Sequence, residues 1–217
     1  MRPITCTRNR NKIEAMKTTV LLLTAALLTA APIAQGDRDR ILSELHASRK
    51  MFLDSIAGVS PAQWVYKAAP DRWSIQETAE HIAAAEPFLR GLITEQIMKS
   101  PANPDLAAQR KPGNAAGNEA VLKALLDRSK KATAPEPIQP KKVYNTTADA
   151  AGAFNKERDK TLDYIRTTQD DLRVHFFKGP TGDDLDAVQW MMLLAGHTER
   201  HTLQILEVKQ SPGYPAR

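Results

Sequence analysis

Cysteine is almost absent from this chain: Cys6 is the single one among 217 residues, and it falls in a stretch that reads as a removable leader. An exported chain without cysteine has no disulfide framework, and it has no thiolate to offer as ligand or nucleophile. A long apolar run is missing too. The best candidate, Val20 through Ala31, falls short of the roughly 20 residues that cross a bilayer comfortably. No segment alternates polar and apolar residues long enough to argue for paired strands, and there is no internal repeat. Excess charge is also lacking. The surplus of 30 Lys and Arg over 25 Asp and Glu belongs to the leader, where Arg2, Arg8, Arg10, Lys12 and Lys17 stand against Glu14. From Asp37 onward, 25 basic side chains face 24 acidic ones, which gives no support for a nucleic-acid footprint.

The first 36 residues have the layout of a secretory signal behind a short upstream extension. Met16 and Lys17 open a polar start, the Val20–Ala31 run follows, and the triplet Ala34-Gln35-Gly36 offers a small-residue cleavage site. The expectation is a periplasmic or secreted protein beginning near Asp37, with no stable membrane span after signal removal; an uncleaved anchor is the competing reading. Residues 37–217 number 181, enough for one domain with a real core.

That remainder reads as helices. Ile41, Leu45, Phe52, Ile56 and Val59 form one stripe over about residues 38–57. A second helix opens at Ser74, whose hydroxyl can cap a backbone N–H while Glu77 reaches back. Its stripe runs Thr78, His81, Ile82, Ala85, Phe88, Leu89 and Leu92, ending near Ser100-Pro101. A loop follows, then a short helix from Glu119 to Lys131. Thr146 caps a third long helix that reaches about Thr167. Asp186, with Gln189 three residues on, caps the last, whose stripe is Trp190, Leu194, His197, His201, Ile205 and Val208. Pro212 forbids its continuation. Four long amphipathic helices and a short insertion predict an all-α protein, a four-helix bundle.

Three histidines fall on these core-facing stripes. His197 and His201 lie one turn apart on one helix face, and His81 comes from another helix. A buried polar group without a partner costs about 1–3 kcal/mol, and one shared metal ion would satisfy all three rings at once. A three-ligand site with open positions can lower the pKa of a bound water or thiol. Spacing alone leaves the alternative of three separately hydrogen-bonded core histidines. Thr198 follows His197, so the zincin pattern with its built-in glutamate base is excluded. Glu199 is expected to face solvent. His46 and His175 receive no role. Glu77 is either the capping residue of its helix or a weak candidate for a catalytic proton acceptor near His81.

The segment Trp73-Ser74-Ile75-Gln76-Glu77, with His81 four residues on, resembles the second-helix signature of the DinB-like family. Leu185-Asp186-Ala187-Val188-Gln189-Trp190, and then His197 through Ile205, is similar to that family's fourth helix. The tail Pro212-Gly213-Tyr214-Pro215 also resembles endings seen there. The resemblance implies an up-down-down-up bundle, often a homodimer, with a divalent metal on His81, His197 and His201. It implies a metal-dependent hydrolase or transferase acting on a small molecule, or a non-catalytic metal-containing binding or structural bundle. Imidazole ligands suit zinc, nickel, iron and copper alike, with manganese a further possibility.

Overall fold

The computed structural model describes residues 32–110, 115–127 and 133–216. The body of the expected signal, residues 1–31, lies outside them. Among the described residues no helix is long and apolar enough to cross a membrane.

Four long helices carry the fold. The first, α1 (Gln35–Ile56), buries Ile41, Leu45, Phe52 and Ile56. It begins two residues before the expected mature start. Just ahead of it, Ile33 is buried and its N–H donates to the Asp170 carbonyl at 3.1 Å. A short α2 (Pro61–Val65) leads to α3 (Ile75–Gly91). Two small helices, α4 (Pro104–Gln109) and α5 (Ala115–Leu126), precede α6 (Thr147–Thr167). The strands β1 (Phe176–Lys178) and β2 (Asp184–Asp186) form an antiparallel hairpin that delivers the chain to α7 (Ala187–Lys209).

The caps arise where short-range chemistry dictates. Ser74 and Asp186 each accept from the third residue of their helix, and Glu77 and Gln189 return the bond. Thr146 caps α6 through the Asp149 N–H at 3.1 Å.

Packing order gives the bundle its topology. Both α1 and α3 pack against α6 and α7, so α1 and α3 sit across one diagonal and α6 and α7 across the other. Direction follows from paired residues. Arg38 reaches the carbonyls of Ile165 and Thr168 while Arg49 pairs with Asp159, so α1 and α6 are antiparallel. Arg173 bridges Asp37 and Asp186, the starts of α1 and α7, which are therefore parallel. Gln76 binds the Tyr144 carbonyl and Arg90 binds Glu157, so α3 and α6 run together. The order is up, down, down, up.

The core is two apolar halves separated by a polar layer. One half holds Ile41, Leu45, Leu89, Ile93, Leu162 and most of the first half of α7. The other holds Phe52, Ile56, Ile82, Phe154, Ile205 and Val208. Between them Arg158, fully buried, grips the Glu86 carboxylate with Nε at 2.9 Å and Nη2 at 2.8 Å. Its remaining N–H groups reach the Leu45 carbonyl, Ser48 and Thr198, and Thr161 donates to Glu86. All four long helices thus meet at one guanidinium.

Phe88 corrects the expected α3 stripe: it is 38% exposed. The buried face of α3 is turned toward Glu86, which leaves Phe88 on its edge. Pro87 withholds one helical hydrogen bond, and the helix widens to π spacing over Leu92–Ile97, placing Ile93 and Ile97 inward. The short helix also starts earlier than expected, at Ala115, and packs on α7. There Gly196 permits close approach, because a Cβ would lie 2.9 Å from Leu122 and 3.0 Å from Leu125.

Candidate metal centre

The three sequence-predicted histidines meet at the level of the polar layer. His81 comes from the second turn of α3, and His197 and His201 from adjacent turns of α7. Nε2 of His81 lies 3.2 Å from Nε2 of His197 and 3.2 Å from Nε2 of His201. All three ligand atoms fall within 4.8 Å of one another. Two nitrogens bound at 2.0–2.1 Å to one tetrahedral ion are separated by about 3.3 Å, so the donor set fits a divalent cation.

The outer nitrogens of His81 and His201 are fixed by acceptors. His81 Nδ1 donates to the Ile138 carbonyl at 2.7 Å, and His201 Nδ1 donates to Gln204 Oε1 at 2.6 Å. A carbonyl can only accept, so the proton of each ring sits on Nδ1 and the Nε2 lone pair is free to face inward. Burial holds the His81 pKa below the ordinary histidine value, with the Ile138 bond opposing. His197 lies well below it, through burial first and then through His201, His81 and Arg200. Neutral imidazole is the form that binds metal.

Trp73 covers the cluster. Its ring centroid lies 4.9 Å from that of His81 and 6.3 Å from that of His201. The same tryptophan lines a cleft of about 540 Å³ together with Lys67, Glu77, Gln139 and Pro140. Two bulky aromatics of the same helices stand elsewhere: Phe88 faces outward, and Trp190 stands beside Phe177 of the hairpin.

Glu77 is occupied by its helix. Its carboxylate accepts from the Ser74 N–H at 2.8 Å and pairs with Lys67 at 3.1 Å. Burial would raise its pKa, but the Ser74 N–H, Lys67 and Lys142 outweigh that and hold it below the usual carboxylate range. Glu199 is half-buried rather than solvated, with its pKa raised by burial and by Glu44 across the α1 interface. His46 is exposed, and His175 Nδ1 donates to the Ser100 carbonyl at 2.8 Å.

Sequence reasoning did not anticipate Gln204, Ile138 or the contact of Trp73 with the rings. Gln204 had a signal, since it lies one turn beyond His201. Ile138 contributes only a backbone carbonyl, which no side-chain pattern reveals.

Residues 44–205 match the DinB superfamily. The chain belongs to that family. It is 20% identical over 169 residues to the uncharacterized protein YuaE of Bacillus subtilis (strain 168), an alignment spanning 78% of this chain and 97% of YuaE. The fold is similar to that of YfiT from Bacillus subtilis, with a TM-score of 0.50 at 15% identity, over 84% of this chain and 91% of YfiT. YfiT is described as "a probable metal-dependent hydrolase with an unusual four-helix bundle topology". In the DinB-superfamily bundle seen here, the placement of α6 and α7 on one diagonal is what brings α3 against α7 and the three rings together.

Proposed function

We propose that this protein is an exported metalloenzyme, a hydrolase or transferase for a small molecule, with its divalent ion held by His81, His197 and His201. The observation that carries the reading is the convergence of three Nε2 atoms, with the outer nitrogens of His81 and His201 fixed, beside an open cleft. When bound, a divalent ion there supplies Lewis acidity toward a substrate oxygen. The chain's own residues do the rest. Ile138 and Gln204 keep the lone pairs aimed inward, Trp73 screens the rings from bulk water, and the cleft walls hold the substrate. Glu77, already hydrogen-bonded and ion-paired, caps α3 and braces Lys67. The description of YfiT supports the hydrolase reading by analogy of fold. Export weighs against a low-molecular-weight thiol as co-substrate, because such thiols are mainly cytosolic.

Elemental analysis of the purified protein tests the site, with about one equivalent of a divalent metal per chain expected. Metal-free protein overturns the reading. Melts with and without chelator then separate chemistry from architecture. The caps and the two apolar halves specify the bundle without an ion, so chelation is expected to lower the melting temperature while leaving a cooperative transition. Gross unfolding in chelator would favour a structural metal instead.

Export has its own test. Expression with the native leader should yield periplasmic or secreted protein starting within a few residues of Asp37. Full-length cytosolic protein would refute it. Any start that retains Ile33 keeps its buried contact and its bond to Asp170.

A further inference from the structure

We infer that Glu80 is a positioning residue for the metal centre, acting on His81 through the backbone segment that holds the outer nitrogen of that ring. The inference rests on the metal-site reading above.

Glu80 is 4% exposed, on a face of α3 that would point to solvent in an isolated bundle. What covers it is the stretch from Glu136 to Tyr144, which runs along α3 as a strap. The carboxylate accepts three consecutive backbone N–H groups from that strap: Lys141 at 2.7 Å, Lys142 at 2.6 Å and Val143 at 3.2 Å. Successive N–H groups turned toward one anion form a concave nest. Here the nest requires Lys142 to adopt a φ of 60°, a left-handed conformation that non-glycine residues hold only when the surroundings impose it. Glu80 is what imposes it.

The strap is pinned to α3 at three further points, one of them the ion pair of Lys142 with Glu77 at 3.7 Å. Gln76 Nε2 donates to the Tyr144 carbonyl at 2.8 Å, and His81 Nδ1 donates to Ile138. These bonds differ in what they depend on. The Ile138 carbonyl belongs to a short 3-10 turn, Glu136–Ile138, whose place is set by the buried Ile138 side chain together with the chain on either side. Three residues downstream, that chain is locked by a buried charge. Loss of the charge leaves the turn held by the Ile138 side chain alone, and loosens the acceptor that chooses the His81 tautomer and aims its ring. Gln139 and Pro140 lie between the two anchors and line the cleft, so the same carboxylate also sets one cleft wall.

Glu80→Gln is the sharpest probe. It keeps the size of the side chain but places an NH₂ group against backbone donors. Metal affinity is read by competition with a chelator of known affinity, and ligand geometry by the visible spectrum of the cobalt(II) form. The expected result is a dissociation constant raised about 10–100-fold, the range for outer-shell partners, together with an altered cobalt spectrum. Leu162→Ala serves as the control, because Leu162 is buried on α6 and its loss lowers stability while the Glu80 carboxylate and the Ile138 bond to His81 stay in place. That control should bind as the wild type does. Unchanged affinity in Glu80→Gln overturns the inference, as does an equal loss in the control, which would assign the effect to stability alone. Failure of the wild type to bind any metal overturns the underlying reading instead. If Glu80→Gln does not fold, Glu80→Asp retracts the charge by one methylene and carries the same expectations.

Discussion

Arg158→Met is expected to destabilise the fold by about 3–5 kcal/mol, measured as a lowered urea midpoint with an unchanged slope. The substitution leaves the Glu86 carboxylate buried with only Thr161 as partner, and an uncompensated charge in an apolar interior is the most expensive defect available. It also strips the Leu45 carbonyl, Ser48 and Thr198 of their donor. Removing both charges, as in Glu86→Leu with Arg158→Met, should restore much of the loss, because desolvating an ion pair offsets most of its Coulombic gain. Recovery should stop short of wild type, since Thr198 loses the guanidinium and Thr161 keeps only the long bond to the Glu157 carbonyl. Full additivity of the two single changes would mean that the pair is not coupled, against the bidentate geometry.

His201→Ala is expected to abolish metal retention through gel filtration while leaving the far-ultraviolet helical signal nearly unchanged. Two ligands remain, both on rings still buried, and the apolar halves on either side of the polar layer are untouched. The pH dependence of the metal-free protein should change as well. In the unfolded chain histidines take up protons near pH 6.5, while burial keeps His81 and His197 neutral to lower pH in the fold. Below about pH 6.5 the unfolded state therefore binds more protons, and stability falls as pH drops. After burial, the neighbouring His201 is the largest influence lowering the His197 pKa. His201→Ala should thus flatten this acid sensitivity, as seen in melts between pH 5 and pH 8. An unchanged pH profile would show that the rings do not sense one another.

Local rules carried the sequence reading far, and non-local ones mark where it failed. The caps at Ser74, Thr146 and Asp186 were legible because each depends on residues within one turn. So was the histidine trio, through its helical phase. Phe88 was misplaced because the buried face of α3 turns toward Glu86, and a charged residue at that position reads as outward until Arg158, 72 residues away, is known to meet it. Glu199 was misread for the same kind of reason: Glu44 and α1 lie beside it only in the folded state. The hairpin strands are three residues long, too short for alternation to show. The strap over Glu80 left no pattern either, since its role rests on backbone N–H groups and one carbonyl.

Because α3 packs against α7, the last helix, the ligands of the candidate centre are remote in the chain: His81 is 116 residues from His197 and 120 from His201. A nascent or translocating segment can present the His197–His201 pair, but never the trio. The complete donor set comes into being only when α7, the last helix, docks against α3, and contacts of such long range form late. On the proposed reading, metal capture would follow that docking as the closing event of folding. Imidazole sites discriminate weakly among late first-row ions, so the ion acquired is set by the pool present where the C-terminal helix docks, and two compartments of one cell could load the same sequence differently.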